Sequence, residues 1–326
     1  MLRFILRRLA LLPPALIFVH FFGYAYALLG RWFQTTLNPF FAGSRTPPPL
    51  LPEYAAYWQG MLKLDFGKMP GGSVETVPAA ILRTSAASLG LLAIAFALSL
   101  VIGLLLGLSA VRTNPPGVAP WLVPVSSVSL SMPSFYIGAV VLTLAIYYLL
   151  FLAPRGAQLP FPLRGFGWDI HLLLPAMVLT LRPAMQIAQI TASVLADEMH
   201  KQYVVAGRSL GHTWRRVRWR TALKNALTPI ILAIGSAFRL LVVELILVEW
   251  LFGWPGLGSL LARTLFRPQV ASVFSASVSV PAAYLYPPVV AAILAVFAAL
   301  FLAGEMITST LVRMIDPRLR ALEGDV

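Results

Sequence analysis

The chain of 326 residues carries 25 Lys and Arg against 12 Asp and Glu, is 59% hydrophobic and only 11% charged. Soluble domains carry about 25% charged residues, so this composition excludes an ordinary soluble domain and identifies an integral membrane protein. In such a chain a net charge of +13 reports which side of the membrane the loops occupy rather than a nucleic-acid surface, and the absence of Cys excludes disulfides and thiolate metal sites.

Crossing about 30 Å of hydrocarbon takes roughly 20 mostly apolar residues as helix, because every backbone N–H and C=O must be satisfied inside the segment. Six runs meet that length, at 9–29, 86–111, 121–152, 172–195, 227–247 and 289–312. Their continuity argues against a β-barrel, whose strands alternate apolar and polar over about ten residues. At the start, Arg3, Arg7 and Arg8 followed by apolar residues and "AYA" at 25–27 imitate a cleavable signal peptide. The apolar stretch is longer than the roughly 7–15 residues of a signal core, so it predicts a retained first span. The stretch 37–52, with "TPPPLLP" inside it, is too rich in proline for helix and predicts an extended outer loop.

Charge position orients the spans. With the N-terminus inside, the inner face receives fourteen Lys and Arg and the outer face nine, while Arg182 and Arg239 fall within spans. That bias favours both termini in the cytoplasm. Half of the inner charge lies in one segment, residues 197–224, which holds Lys201, Arg208, Arg215, Arg216, Arg218, Arg220 and Lys224. The pattern predicts a helix from Asp197 to Arg208, with Asp197 and Glu198 near its start where the macrodipole favours negative charge. Gly207 and Gly211 interrupt it; Gly211 suits a helix C-terminus because glycine tolerates positive φ, and a second basic helix follows from Thr213. Two roles fit this segment: a solvated loop that merely anchors topology, or a coupling element that docks on a soluble partner.

Charges inside the spans are the other candidates for function. A charge deep in a bilayer costs several kcal/mol unless it faces a cavity or a partner. Arg239 and Glu244 lie about 140° apart on one helix, too far round to form a good i,i+4 pair, which leaves Arg182 as a partner for Glu244. Either an internal salt bridge or a polar pathway accounts for these residues. Catalytic patterns are absent: the only Gly-Lys pair, Gly67-Lys68, is followed by Met69 and makes no phosphate loop, and His20, His171, His200 and His212 have no metal-site spacing.

Several motifs carry a resemblance. "YVVAGRSLG" followed by "LKNALTPII" resembles the cytoplasmic EAA-type loop of ABC importer permeases, in the branch that carries dipeptides, oligopeptides and nickel. "EWLFGWPGLGSLL" at 249–261, "SMPSFYIG" at 131–138, "LLLPAM" at 172–177, "MIDPRLR" at 314–320 and the opening "MLRFILRRLALLPP" resemble other signatures of that branch, in its order and over nearly the whole chain. The resemblance implies an all-α polytopic fold of the type I importer kind, with about six transmembrane helices and both termini cytoplasmic. Residues 1–30 would form the cytoplasmic N-terminus and first span, 31–85 an extracytoplasmic loop, and 86–326 the permease core, with the coupling loop at 197–224 and an outer insertion at about 268–287.

It implies a function as well: half of an import pathway for peptides, ahead of nickel or another small solute, in a bacterial or archaeal cell (inner) membrane. The implied partners are a second homologous permease, two ABC ATPase subunits that bind ATP and Mg, an extracytoplasmic substrate-binding protein and membrane lipids. No cofactor is implied in this chain, no metal site, no enzymatic activity of its own and no nucleic acid. By position, Glu198, Tyr203, Ala206, Gly207 and Gly211 would form the ATPase-coupling loop, and Arg182, Arg239 and Glu244 the translocation path. Gly207 stands where the family commonly has Ala, and Leu210 where Lys is common. A proton-coupled secondary transporter would show internal repeats and a channel would show filter residues; neither signal stands out in this sequence.

Overall fold

Among the described residues, six helices are long and apolar enough to cross a membrane: Leu6–Gln34, Val77–Ser109, Ser134–Leu152, Ile170–Met199, Trp214–Phe252 and Pro287–Ile315. They belong to a computed structural model that describes residues 2–37, 46–70, 74–113, 115–154, 156–265 and 284–315. All six lie on the apolar runs found in the sequence, but their limits differ for identifiable reasons. Helix α1 (Leu2–Leu37) continues well past both ends of its run. Helix α2 (Leu50–Leu62) begins immediately after Pro49, whose backbone is extended, so the expected loop ends in helix at 50–52, while 38–45 lie outside the described residues. Pro52 is tolerated in the first turn of α2, where its missing N–H would have had no partner.

The third run is two helices, not one. After α3 (Val77–Ser109) a short antiparallel hairpin of β1 (Val111–Thr113) and β2 (Pro116–Val118) leads to α4 (Leu122–Ser131) and α5 (Ser134–Tyr147), the latter prolonged by a π turn at Tyr148–Leu152. Pro133 makes the break. It pushes Met132 out of the helical region, to φ −108 and ψ 124, and offers no N–H to continue the ladder. The expected single span at 121–152 is therefore corrected to a helix, a bend and a crossing helix.

Helix α6 (Leu173–Met199) packs between α3 and α9 (Leu223–Phe252), α11 (Pro287–Ile315) packs on α9, and α1 lies outermost against α11. Close approach of α3 and α6 depends on small residues. A Cβ at Gly103 or Gly107 would stand 2.7 Å from the carbonyl oxygen of Ala184 or Ala188, so the GLLLG segment lets two backbones touch as small-xxx-small pairs do in membranes. Two cores result. One gathers Leu91, Leu179, Leu241, Phe252, Trp254 and Ile293. The other gathers Val111, Leu122, Leu195, Met199, Val204, Val217 and Ile230, joining the ends of three spans to the 197–224 segment. Most of the proposed outer insertion at 268–287 lies outside the described residues.

Candidate functional site

The charges inside the spans form two linked pairs around one cavity. Arg182 on α6 places Nη1 2.6 Å from Oε1 of Glu244 on α9, and Ser134 Oγ donates to the other oxygen of Glu244, so the pair ties α6, α9 and α5 together. Arg239, one and a half turns earlier on α9, places Nη1 2.6 Å from Oε2 of Glu305 on α11. Arg8 of α1 approaches the same Glu305 at 3.9 Å and donates to Ser309 Oγ at 2.6 Å. The Arg182–Glu244 partnership expected from helical phase is present. Glu305 escaped notice in the sequence, although an isolated acidic residue inside the last apolar run carried the same signal as Glu244.

Arg182 and Arg239 both border an open cavity of about 480 Å³, whose wall also includes Leu130, Gln186, Ser236 and Phe301. Gln186 Nε2 donates to Ser236 Oγ at 3.1 Å across that wall. Glu244 is buried while its partner Arg182 keeps about a quarter of its side chain exposed, so the cation faces the cavity and the anion supports it from behind. A lone buried carboxylate would be strongly unfavourable; paired and hydrogen-bonded, it is tolerated.

The 197–224 segment is built differently from expectation at its start. Helix α6 runs on to Met199, so Asp197 and Glu198 occupy its last turn instead of the first turn of the next helix. Acidic residues are disfavoured at a helix C-terminus, and Glu198 is compensated by two donors. Lys201 Nζ forms an ion pair with it, and the Tyr203 hydroxyl donates to its second oxygen. Burial, and then the neighbouring Glu198 carboxylate, push the Tyr203 hydroxyl up to about 12, which keeps it a neutral donor.

Helix α7 (Gln202–Ser209) contains Ala206 and Gly207 without interruption, which corrects the break expected at Gly207. The chain turns at Gly211, whose φ of +83 is the left-handed conformation glycine adopts without strain. The amides of Gly211 and His212 close the turn on the carbonyls of Arg208 and Gly207, at 2.9 and 3.1 Å. Thr213 then caps α8 (Trp214–Val217) by accepting from the Arg216 amide, and α8 passes through a π turn at Arg218–Ala222 straight into α9. The expected second basic helix is thus an extension of the fifth span.

Three inward side chains hold this block to the spans. Val204 of α7 and Val217 of α8 are buried in one core with Val111 and Met199. Arg218 turns its guanidinium onto the carbonyls of Leu108 and Val111, where α3 ends and its last carbonyls lack helical partners. The sequence showed Arg218 only as one basic residue among several. Facing outward, Val205, Ala206 and Leu210 are exposed on α7 and its turn, interleaved with the polar Gln202 and Ser209.

A third feature lies in the motif at 249–261, for which the sequence suggested no residue roles. Glu249 is fully buried on the last turn of α9. Its Oε1 accepts from Ser88 Oγ at 2.6 Å and its Oε2 from the amides of Gly258 at 2.7 Å and Ser259 at 3.4 Å, at the start of α10 (Leu257–Leu265). Ser88 Oγ in turn accepts from the Leu257 amide, and Trp254 Nε1 donates to the Ala87 carbonyl. Glu249 acts as a remote cap that folds α10 back onto α3 and α9. Among the described residues no group of three His, Cys, Asp or Glu is placed to hold a metal.

A family model described as a binding-protein-dependent transport system inner membrane component matches residues 99–321. The oligopeptide transport system permease protein AppB of Bacillus subtilis is 25% identical over 272 residues, which cover 82% of this chain and 81% of that protein. OppB of Escherichia coli, another oligopeptide transport system permease protein, is 27% identical over 311 residues, 86% and 93% of the two chains. The dipeptide transport system permease protein DppB of Lactococcus lactis is 26% identical over 276 residues, 83% and 81%.

Proposed function

The chain belongs to the binding-protein-dependent transport system inner membrane component family, and we propose on that footing that it forms half of the pathway of an ATP-driven peptide importer. Peptide cargo is supported by relatives whose names give oligopeptide and dipeptide transport. Its partners are a second homologous permease, two ATPase subunits that bind ATP and Mg, and a substrate-binding protein on the outer side. The basic bias supports a cytoplasmic placement of 197–224 and of both termini.

The observation that carries the coupling role is the anchoring of α7. Its outward face is exposed and of mixed polarity, with Val205 and Ala206 beside Gln202 and Ser209, while Val204, Val217 and Arg218 fasten it to the ends of α3, α6 and α9. A push on α7 by a closing ATPase therefore reaches three spans together, because packed cores transmit displacement as rigid bodies. At mid-membrane, Arg182 and Arg239 are already paired, so the cavity offers charge without a deep electrostatic trap. A zwitterionic peptide can exchange partners with those pairs and leave again.

The experiment is reconstitution of the complete assembly in liposomes. Peptide-loaded binding protein should stimulate ATP hydrolysis and uptake of labelled peptide. Uptake by this chain alone, without ATPase subunits, would overturn the proposal in favour of a secondary transporter or a channel.

A further inference from the structure

Within one turn and a half of helix, the arginines that follow the coupling turn divide into two kinds. Arg218 points inward and is used by the protein, on the carbonyls of Leu108 and Val111. Arg215, Arg216 and Arg220 are exposed, and among the described residues none of them forms an ion pair. No Asp or Glu stands between Glu198 and Glu244 in the sequence. The three guanidiniums share a cavity of about 610 Å³ with Thr213 and the exposed ring of Trp219.

We propose that this cavity binds the headgroup of an anionic phospholipid of the inner leaflet. The proposal rests on the inward orientation adopted above. Three observations support a lipid over a protein surface. The cavity lies on a shaft continuous with the fifth span, and Arg220 stands seven residues, about 10 Å along the axis, before the apolar run that opens at 227. From there long arginine side chains reach back toward the phosphate layer. Trp219 adds an amphipathic ring of the kind enriched at membrane interfaces. The exposed apolar side chains that suit a protein partner, Val205, Ala206 and Leu210, are elsewhere, on α7 and its turn. A phosphodiester meets a guanidinium fork through two parallel hydrogen bonds, which an ammonium group cannot reproduce. A bound headgroup would steady the shaft that carries the coupling turn, and would make stimulation of the ATPase depend on anionic lipid.

The test uses the complete importer in nanodiscs of phosphatidylcholine alone or of phosphatidylcholine with equimolar phosphatidylglycerol, with lipid retention read on the permease by native mass spectrometry. Wild type should retain phosphatidylglycerol, and the triple variant Arg215→Gln, Arg216→Gln, Arg220→Gln should bind it roughly a hundredfold more weakly. Its ATPase stimulation in mixed nanodiscs should fall to the wild-type level in phosphatidylcholine alone. Because removing three positive charges can disturb insertion, the triple Lys variant provides the second arm. It keeps the charge but loses the forks, and should retain the lipid severalfold less well than wild type.

Equal retention by wild type and the Gln variant, or by wild type and the Lys variant, would overturn the site. So would loss of the ATPase subunits from the Gln variant with retention unchanged, since the arginines would then serve an acidic protein surface. A failure of the importer proposal would appear separately, as wild-type permease that purifies without ATPase subunits. A failure of orientation would appear as labelling of a Thr213→Cys variant by impermeant maleimide in intact cells.

Discussion

Helix α9 buries two carboxylates five residues apart and stabilises them in opposite ways. Glu244 is held by the cation of Arg182 and one hydroxyl, from neighbouring spans. Glu249 has no cation; a hydroxyl and two backbone amides complete it, two of the three from the start of α10. The contrast distinguishes a contact that can be exchanged from one that cannot. An ion pair facing a cavity can trade its partner for a passing charge, whereas a carboxylate enclosed by amides is a fixed corner of the fold.

The largest effect should come from leaving Glu244 without its cation. Arg182→Met is expected to cost about 3–5 kcal/mol, as when one partner of a buried pair is deleted, and adding Glu244→Gln should recover much of that loss. Thermal unfolding of the purified permease would measure both, and additive losses would show that the two residues do not act as a pair. Glu249→Gln should cost less, about 1–3 kcal/mol, because the amide keeps an oxygen for the Gly258 and Ser259 amides but turns N–H toward Ser88 Oγ, whose hydroxyl then loses its acceptor. No change of a basic residue should rescue it, and faster proteolysis around α10 should accompany the loss. If an Arg or Lys substitution did restore stability, the contrast between the two carboxylates would fail.

Smaller effects should come from the loop outside the membrane. Gly211→Val imposes about 1–2 kcal/mol of left-handed strain, but the spans still insert. The protein should accumulate normally while ATP hydrolysis stops responding to loaded binding protein; wild-type stimulation would remove the coupling role. Tyr203→Phe should be mildest, about 0.5 kcal/mol for one partly exposed hydrogen bond. The fold raises this hydroxyl from its ordinary value to about 12. Its contribution is therefore complete below about pH 10 and is lost as pH rises through 12. Across neutral pH wild type and Tyr203→Phe should differ by a constant amount, which a pH series of unfolding midpoints would check.

What the sequence made legible follows from what is local. Apolar length located the six crossings, and the positive φ at Gly211 with its following Thr213 cap could be anticipated from residue type alone. Helical phase excluded an Arg239–Glu244 pair because both residues share one helix. Partners on other helices were harder: Arg239 meets Glu305, and Arg218 meets the end of α3, through interhelical register that no single-helix period encodes. The break at Pro133 was readable in principle, but the apolar run on both sides of it masked the missing N–H. Asp197 and Glu198 suit the first turn of a following helix on electrostatic grounds, yet α6 simply continues through them.

The π turn at Arg218–Ala222 has a mechanical consequence. A π turn holds one residue more than a regular turn, so it offsets everything before it by about 100° of azimuth relative to the shaft above. It sets the timing between a rotor inside the bilayer and the block beneath. Deleting a single residue there would leave both pieces intact yet swing the coupling face to another compass bearing, whereas the same deletion in a loop would be absorbed.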